Sequence, residues 1–263
     1  MNLETLIYEK FEGVAKITIN RPKNFNSLNQ TMSKELLKVA IECDEDKDLR
    51  AILLTGSGDK SFCAGGDLFS FKQAGDGLKA EIKELMISFH GAISKFSRIK
   101  VPVIAAVNGV AAGAGLSFAA FPNLAIASED ATFVSAYTKM GLTPDGSSTY
   151  FLPRIIGVRR YMELVLTNRT LNAREALEWG LVNKVVKSSE LQERAMEIAL
   201  SLSKGPTMAF GRIKDLLLNT FNDTLEGQLE MESRYFISSL DTRDAKDGIN
   251  SFVNKTPPKF FGK

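Results

Sequence analysis

Apolar and polar residues alternate from Val14 to Asn20 (VAKITIN), the pattern of a strand with one buried face. Arg21-Pro22 ends it, because proline cannot donate to a sheet ladder and restricts the residue before it. From Asn29 to Asp44 the period changes, with Met32, Leu36, Leu37, Val39, Ala40 and Cys43 at helical spacing. Ala51 to Thr55 (AILLT) is a continuous apolar run, as a strand buried on both faces requires. Leu78 to Phe96 places Leu78, Ile82, Leu85, Met86, Phe89, Ile93 and Phe96 along one helical face. Val103 to Val107 (VIAAV) predicts another buried strand, followed by a glycine-rich turn and the apolar stretch Leu116 to Phe121. Leu124 to Ala127 and Thr132 to Val134 predict two shorter strands.

Strands and helices alternating at this spacing predict an α/β fold with parallel pairing. After about Ser147 the pattern becomes helical. Arg159 to Thr167, Ala173 to Trp179, Ser189 to Leu202, Pro206 to Leu218, Thr224 to Ser239 and Arg243 to Val253 all read as helices. Only Leu181 to Val186 resembles a strand there. The expected organisation is a core over residues 1–195 and a helical region over 196–263, without a repeat or flexible linker.

Composition removes several functions. The 263 residues carry 33 Lys and Arg against 31 Asp and Glu, a formal charge of +2 that argues against a dedicated nucleic-acid binder. Cys43 and Cys63 are the only cysteines and His90 the only histidine. A disulfide framework, a zinc cluster, a Ser-His-Asp triad and a multi-histidine metal site therefore lack material, and no metal is expected. The start, MNLETLIYEKFEG, lacks the basic-then-apolar order of a signal peptide. The apolar stretch Val101 to Ala127 is interrupted by Pro102, Asn108, glycines, Pro122 and Asn123, so no membrane span is expected. A cytoplasmic protein is the default expectation.

Two glycine-rich segments can aim backbone amides at a ligand. Phe62-Cys63-Ala64-Gly65-Gly66-Asp67-Leu68 precedes a helical turn that Asp67 can open. Asn108-Gly109-Val110-Ala111-Ala112-Gly113-Ala114-Gly115-Leu116 leaves the VIAAV strand and enters a helix. Small residues permit close approach to the backbone, and two amides converging on one oxygen make an oxyanion hole. Taken alone, each segment equally fits a tight strand-to-helix connection. Neither has the Walker pattern, and neither completes a dinucleotide fingerprint.

Several motifs occur together in order. They are Arg21-Pro22-Lys23-Asn24-Phe25-Asn26-Ser27-Leu28, Phe62 to Leu68, Pro102 to Leu116 (PVIAAVNGVAAGAGL), Gly141-Leu142-Thr143-Pro144-Asp145-Gly146, and Leu166-Thr167-Asn168-Arg169 with Ala176 and Gly180-Leu181-Val182. This set resembles the crotonase, or enoyl-CoA hydratase/isomerase, superfamily over nearly the whole chain. The resemblance implies a spiral of ββα repeats with a helical C-terminal region that drives trimers, often paired as hexamers. It implies an acyl-CoA thioester substrate, with coenzyme A arriving as part of the substrate and no permanently bound cofactor. By position, the Gly66 and Ala114 amides would form the oxyanion hole. Ala64 and Gly65 would lie along the coenzyme A path, continued by Asp67 and Leu68, with Lys23 and Asn26 beside its nucleotide end. Lys255, Lys259 and Lys263 are further candidates for its phosphates.

The chain departs from the hydratase pattern at both catalytic acids. Typical hydratases carry glutamates where this chain has Ser117 and Tyr137, and neither hydroxyl replaces a carboxylate that deprotonates water. The available acid is Asp145. It reads either as a helix N-cap or, by resemblance to the isomerase of ring-epoxidised phenylacetyl-CoA, as a single acid/base. The stretches KMGLTPDGSSTYFLPRIIG and PPKFFGK carry that subgroup resemblance. A double-bond isomerase needs only one carboxylate, so Asp145 is the expected catalyst, with Tyr137 and Ser117 expected to wall the acyl pocket. Hydration is the alternative. A third is 4-chlorobenzoyl-CoA dehalogenase chemistry, which would use Asp145 as nucleophile and His90 to activate water, although that enzyme has tryptophan at the Tyr137 position. His90 otherwise reads as a pocket-wall residue on an apolar helix, and Cys63 as a small buried residue. A member of the fold that binds coenzyme A or RNA without chemistry stays open as a different class.

Overall fold

The computed structural model describes residues Met1–Lys263. The chain begins with β1 (Leu6–Phe11) and β2 (Val14–Ile19), paired antiparallel, then α1 (Gln30–Glu45), which Asn29 caps by accepting from Met32 N–H. Next come β3 (Ala51–Gly56), β4 (Ser61–Cys63), the short α2 (Leu68–Gln73) and the long α3 (Leu78–Arg98). β5 (Val103–Val107), β6 (Val110–Ala112) and α4 (Ala114–Ala120) repeat the order, as do β7 (Leu124–Ser128), β8 (Thr132–Val134) and α5 (Ser148–Ile156). The remainder is α6 (Val158–Thr167), β9 (Thr170–Asn172), α7 (Ala173–Glu178), β10 (Lys184–Val186), α8 (Leu191–Ser203), α9 (Thr207–Asn219), α10 (Leu225–Leu240) and α11 (Arg243–Val253).

β1 and β2 both join a six-stranded sheet, ordered β1-β2-β3-β5-β7-β10. Each of the next three ββα units gives its first strand to that sheet and its second to a four-stranded sheet, β4-β6-β8-β9. All pairings after β1–β2 in the large sheet are parallel. The repeated step from one sheet to the other forms the spiral that the family resemblance implies. β3 and β5 are wholly buried because both faces are covered. Ile52, Leu54, Ala105 and Val107 face the main core, while Leu53, Ile104 and Ala106 meet Leu191, Ala195 and Ala199 of α8. The boundary expected at residue 195 thus falls inside α8, a helix that covers the sheet. No helix is long and apolar enough to cross a membrane.

Four strands carry no clear signal in the sequence. β1 lies at a sheet edge and is mostly exposed, so its residues need not alternate cleanly. β4, β6 and β9 have three residues each, too short to establish a period. In the stretch Leu181 to Val186 only Lys184–Val186 is strand. Leu181 and Val182 are buried at the end of α7, where Leu181 N–H donates to Ala176 O.

Candidate active site

The two glycine turns meet at the ends of β4 and β6. Gly65 has φ +94° and Gly113 φ +53°, conformations that side chains disfavour. A Cβ on Gly65 would stand 2.9 Å from Ala112 O, and one on Gly113 would lie 3.7 Å from Gly65 Cα. The turns therefore touch backbone to backbone, which brings the Gly66 and Ala114 amides to the same cavity. Neither N–H has an acceptor within the chain: Leu28 and Gly66 bridge through the Gly65 carbonyl and the Asp67 N–H, while Ala114 is the first residue of α4. Gly115 lets α4 sit directly on β4, because its Cβ would fall 1.9 Å from Cys63 O.

Arg21, Asn26 and Asp67 hold the first turn from behind. Asp67 caps α2 by accepting from Ser70 N–H, and Arg21 Nη2 reaches Asp67 Oδ2 at 2.8 Å. Burial by itself raises the Asp67 carboxyl, but these hydrogen bonds and the guanidinium charge hold it below the usual carboxylate range. Asn26 is buried and donates to Ser57 O and Ser61 O while accepting from Arg21 N–H. The Asn26 and Asp67 side chains are thus committed to the fold rather than presented to a ligand. Lys23 is exposed on a single turn at Pro22–Asn24, and Ala64, Gly65 and Leu68 line the cavity. The structural support from Arg21 has its signal in the Arg-Pro motif, but its partner lies 46 residues away.

The cavity holds about 470 Å³ and is lined chiefly by apolar side chains, among them Phe71, Ile82, Leu85, Met86, Met140 and Leu142. Phe71, Met140 and Leu142 escape sequence reasoning, since they sit on short or irregular segments without a period. Asp145 is the only carboxylate in the lining. Its position comes from an unusual turn in which Gly146 (φ +60°) and Ser147 (φ +70°) are both left-handed. Gly146 is required there, because a Cβ would stand 2.7 Å from the Phe89 ring.

The N-cap reading of Asp145 is corrected by this turn. Ser147 occupies the cap position of α5 without a capping side chain, and the Asp145 carboxylate points elsewhere. Its Oδ1 accepts from the Tyr137 hydroxyl, and its Oδ2 lies 3.6 Å from His90 Nε2. Ser117, fully buried in α4, lies behind the cavity rather than in its lining, and donates to Asp145 O at 2.8 Å. Burial first, and the neighbouring Asp145 charge second, push the Tyr137 phenol well above its ordinary range, so it stays a donor. Gly146 N–H donates to His90 Nε2 at 3.3 Å. Asp145, His90, Tyr137 and Ser117 are therefore one connected group. Cys63 is buried, which pushes its thiol up to about 11 and removes it as a nucleophile.

Two unpaired amides and one carboxylate thus face an apolar cavity, and comparison with known proteins gives the family. Residues 9–263 match the family model described as enoyl-CoA hydratase/isomerase. The chain belongs to that family. It is 35% identical to 1,2-epoxyphenylacetyl-CoA isomerase of Escherichia coli over 99% of this chain and 100% of that protein. It is 37% identical to 4-chlorobenzoyl coenzyme A dehalogenase-2 of Arthrobacter sp. over 88% of this chain and 84% of the relative. The crystal structure of an enoyl-CoA hydratase from Bacillus anthracis superposes with a TM-score of 0.92 at 31% identity, covering 99% of this chain and 100% of that one. The protein is an enzyme of the hydratase/isomerase family with the crotonase fold.

Proposed function

We propose that this enzyme isomerises acyl-CoA thioesters, moving a double bond from position 3 to position 2 or rearranging a ring-epoxidised arylacetyl thioester. The thioester oxygen lies between the Gly66 and Ala114 amides, which stabilise the enolate oxygen; removing one such donor typically costs about 10²–10³ in kcat. The Asp145 carboxylate takes a proton from C2 of a 3-enoyl thioester, the electrons pass through a dienolate, and the same carboxyl returns a proton to C4. One acid suffices because the base of the first step is the acid of the second. Tyr137 orients the carboxylate and Ser117 the peptide that bears it.

The observation that carries this reading is that Asp145 is the sole cavity carboxylate, while Ser117 and Tyr137 spend their hydroxyls on it. No second acid remains to activate a water for hydration. The test is conversion of 3-enoyl-CoA to 2-enoyl-CoA by the purified enzyme. Asp145→Asn should abolish turnover while thioester binding persists; undiminished turnover would remove Asp145 from the mechanism. A second reading is favoured by the 3.6 Å approach of His90 Nε2 to Asp145. It is dehalogenation, with Asp145 attacking an aryl carbon, and it requires chloride release from 4-chlorobenzoyl-CoA that depends on both residues.

In the same proposal, coenzyme A arrives only with the substrate and the enzyme works in the cytoplasm, in keeping with its two free cysteines. It assembles as a trimer or a pair of trimers. Support comes from α10, which buries no residue and exposes Leu229, Phe236 and Ile237.

A further inference from the structure

A second cavity, of about 420 Å³, lies on the far side of the Asp145 turn. Its polar lining comes from Ser94, Ser97, Arg98, Ser147, Asn219 and Asn222. Ser94, Arg98, Asn219 and Asn222 are exposed, so this cavity reaches the surface. It contrasts with the apolar catalytic cavity. Asp145 lines only the catalytic cavity and His90 only the polar one, yet His90 Nε2 and Asp145 Oδ2 are 3.6 Å apart. The imidazole is the partition between the two spaces, with 47% of its side chain exposed.

We infer that His90 is a proton port: it exchanges the proton held by Asp145 with water in the polar cavity, and so sets how much solvent hydrogen enters the product. The inference rests on the isomerase reading of Asp145. Gly146 N–H donates to His90 Nε2, so the neutral ring carries its own proton on Nδ1, which has no partner within the chain. After Asp145 takes a substrate proton, its O–H competes with Gly146 N–H for the Nε2 lone pair. Transfer gives an imidazolium and a carboxylate; rotation of the half-exposed ring into the polar cavity then offers Nε2–H to water, and loss of that proton restores the neutral Nδ1–H ring. The reverse sequence loads a solvent proton on Nε2 in the polar cavity and carries it to Asp145 and then to the dienolate. Protons balance, and no group beyond water is needed. The remaining gap is slightly longer than a hydrogen bond, which a small rotation of the half-exposed ring closes.

His90 is thus a positioning residue for the proton, acting through Asp145. Direct transfer from C2 to C4 competes with exchange, so the port changes isotopic outcome more than rate. It also returns Asp145 to its carboxylate form after a cycle that strands a proton there. Arg98 and Tyr150 bring the other charged and polar groups to the same cavity, and neither touches Asp145.

The test is isomerisation of 3-enoyl-CoA in D2O, with deuterium at C4 of the product read by mass spectrometry. Wild-type enzyme should incorporate solvent deuterium. His90→Phe should cut that fraction roughly tenfold, a larger factor than its effect on kcat. Asn222→Phe, which fills the polar cavity, should also cut it. Wild-type product without deuterium, unchanged incorporation in both variants, or a fall in kcat as large as the fall in incorporation would overturn the port. If no 3-enoyl thioester is isomerised, the isomerase reading fails, and α-hydrogen exchange of a saturated acyl-CoA in D2O decides the port separately. Exchange that requires both Asp145 and His90 supports it; exchange indifferent to His90, or none, overturns it.

Discussion

Tyr137 donates its hydroxyl hydrogen to Oδ1 of Asp145, eight residues further along the chain. A turn and a run of irregular backbone separate them in sequence, yet the bond decides which carboxylate oxygen remains available for chemistry. With Oδ1 occupied, Oδ2 is the oxygen left for substrate and for His90.

Tyr137→Phe keeps the ring and deletes only the donor. The freed carboxylate can rotate, so kcat should fall by roughly 10–100-fold while KM for the thioester stays near its wild-type value. Steady-state kinetics on 3-enoyl-CoA measure both. A rise in KM with unchanged kcat would show that Tyr137 shapes the acyl pocket only.

Gly115→Ala should be severely destabilising, because the new methyl would overlap the Cys63 carbonyl at 1.9 Å and force α4 off β4. Overpacking of a rigid contact costs about 1–3 kcal/mol or more. Gly77→Ala is the comparison: a Cβ there would have nothing within 4 Å, and stability should hold within about 0.5 kcal/mol. Urea denaturation of both variants distinguishes steric exclusion from generic glycine loss.

Lys214 of α9 is buried and donates to Val101 O at 2.8 Å and Phe96 O at 3.4 Å, closing the end of α3. Burial pushes its ammonium down to about 7. Between that value and the ordinary lysine range near pH 10.4, the unfolded chain holds a proton that the folded chain lacks. Stability therefore rises with pH across this window, by up to roughly 5 kcal/mol, and the gain is absent below about pH 7. The neutral amine still has two N–H groups for the two carbonyls. Lys214→Met should flatten this rise, as urea midpoints measured at several pH values would show.

Phe236 and Ile237 are 71% and 62% exposed on α10. On the proposed trimeric assembly, replacing both with glutamate should leave the fold intact and yield monomers, measured by light scattering after size exclusion. Buried charge in an apolar interface is costly, whereas charge on a solvated helix is not. An unchanged mass would place the interface elsewhere.

Much of the site is legible in the chain because its parts are backbone features with residue requirements. The two glycine turns announce close backbone approach, and Gly65, Gly113 and Gly146 stand where a positive φ is demanded. The long amphipathic run at Leu78 to Phe96 foretells α3 and its buried Leu85, Phe89, Ile93 and Phe96. Asp145 is identifiable as the remaining acid once Ser117 and Tyr137 are seen at the hydratase positions. What stays hidden is pairing. The capping pattern at Pro144-Asp145-Gly146-Ser147 suggests that Asp145 bonds its own helix, yet two left-handed residues turn its carboxylate toward Tyr137 instead.

By itself, then, the sequence determined the α/β class, the family and the residues with chemistry to offer, since period, glycine demand and motif order are properties of the chain. Tertiary structure decided their relations. It joined turns about fifty residues apart into one cavity, gave the hydroxyls of Ser117 and Tyr137 to Asp145, and set His90 between an apolar space and a polar one. Hydrogen bonds and dielectric boundaries depend on distances of a few ångströms between groups far apart in the chain, and only packing sets those distances.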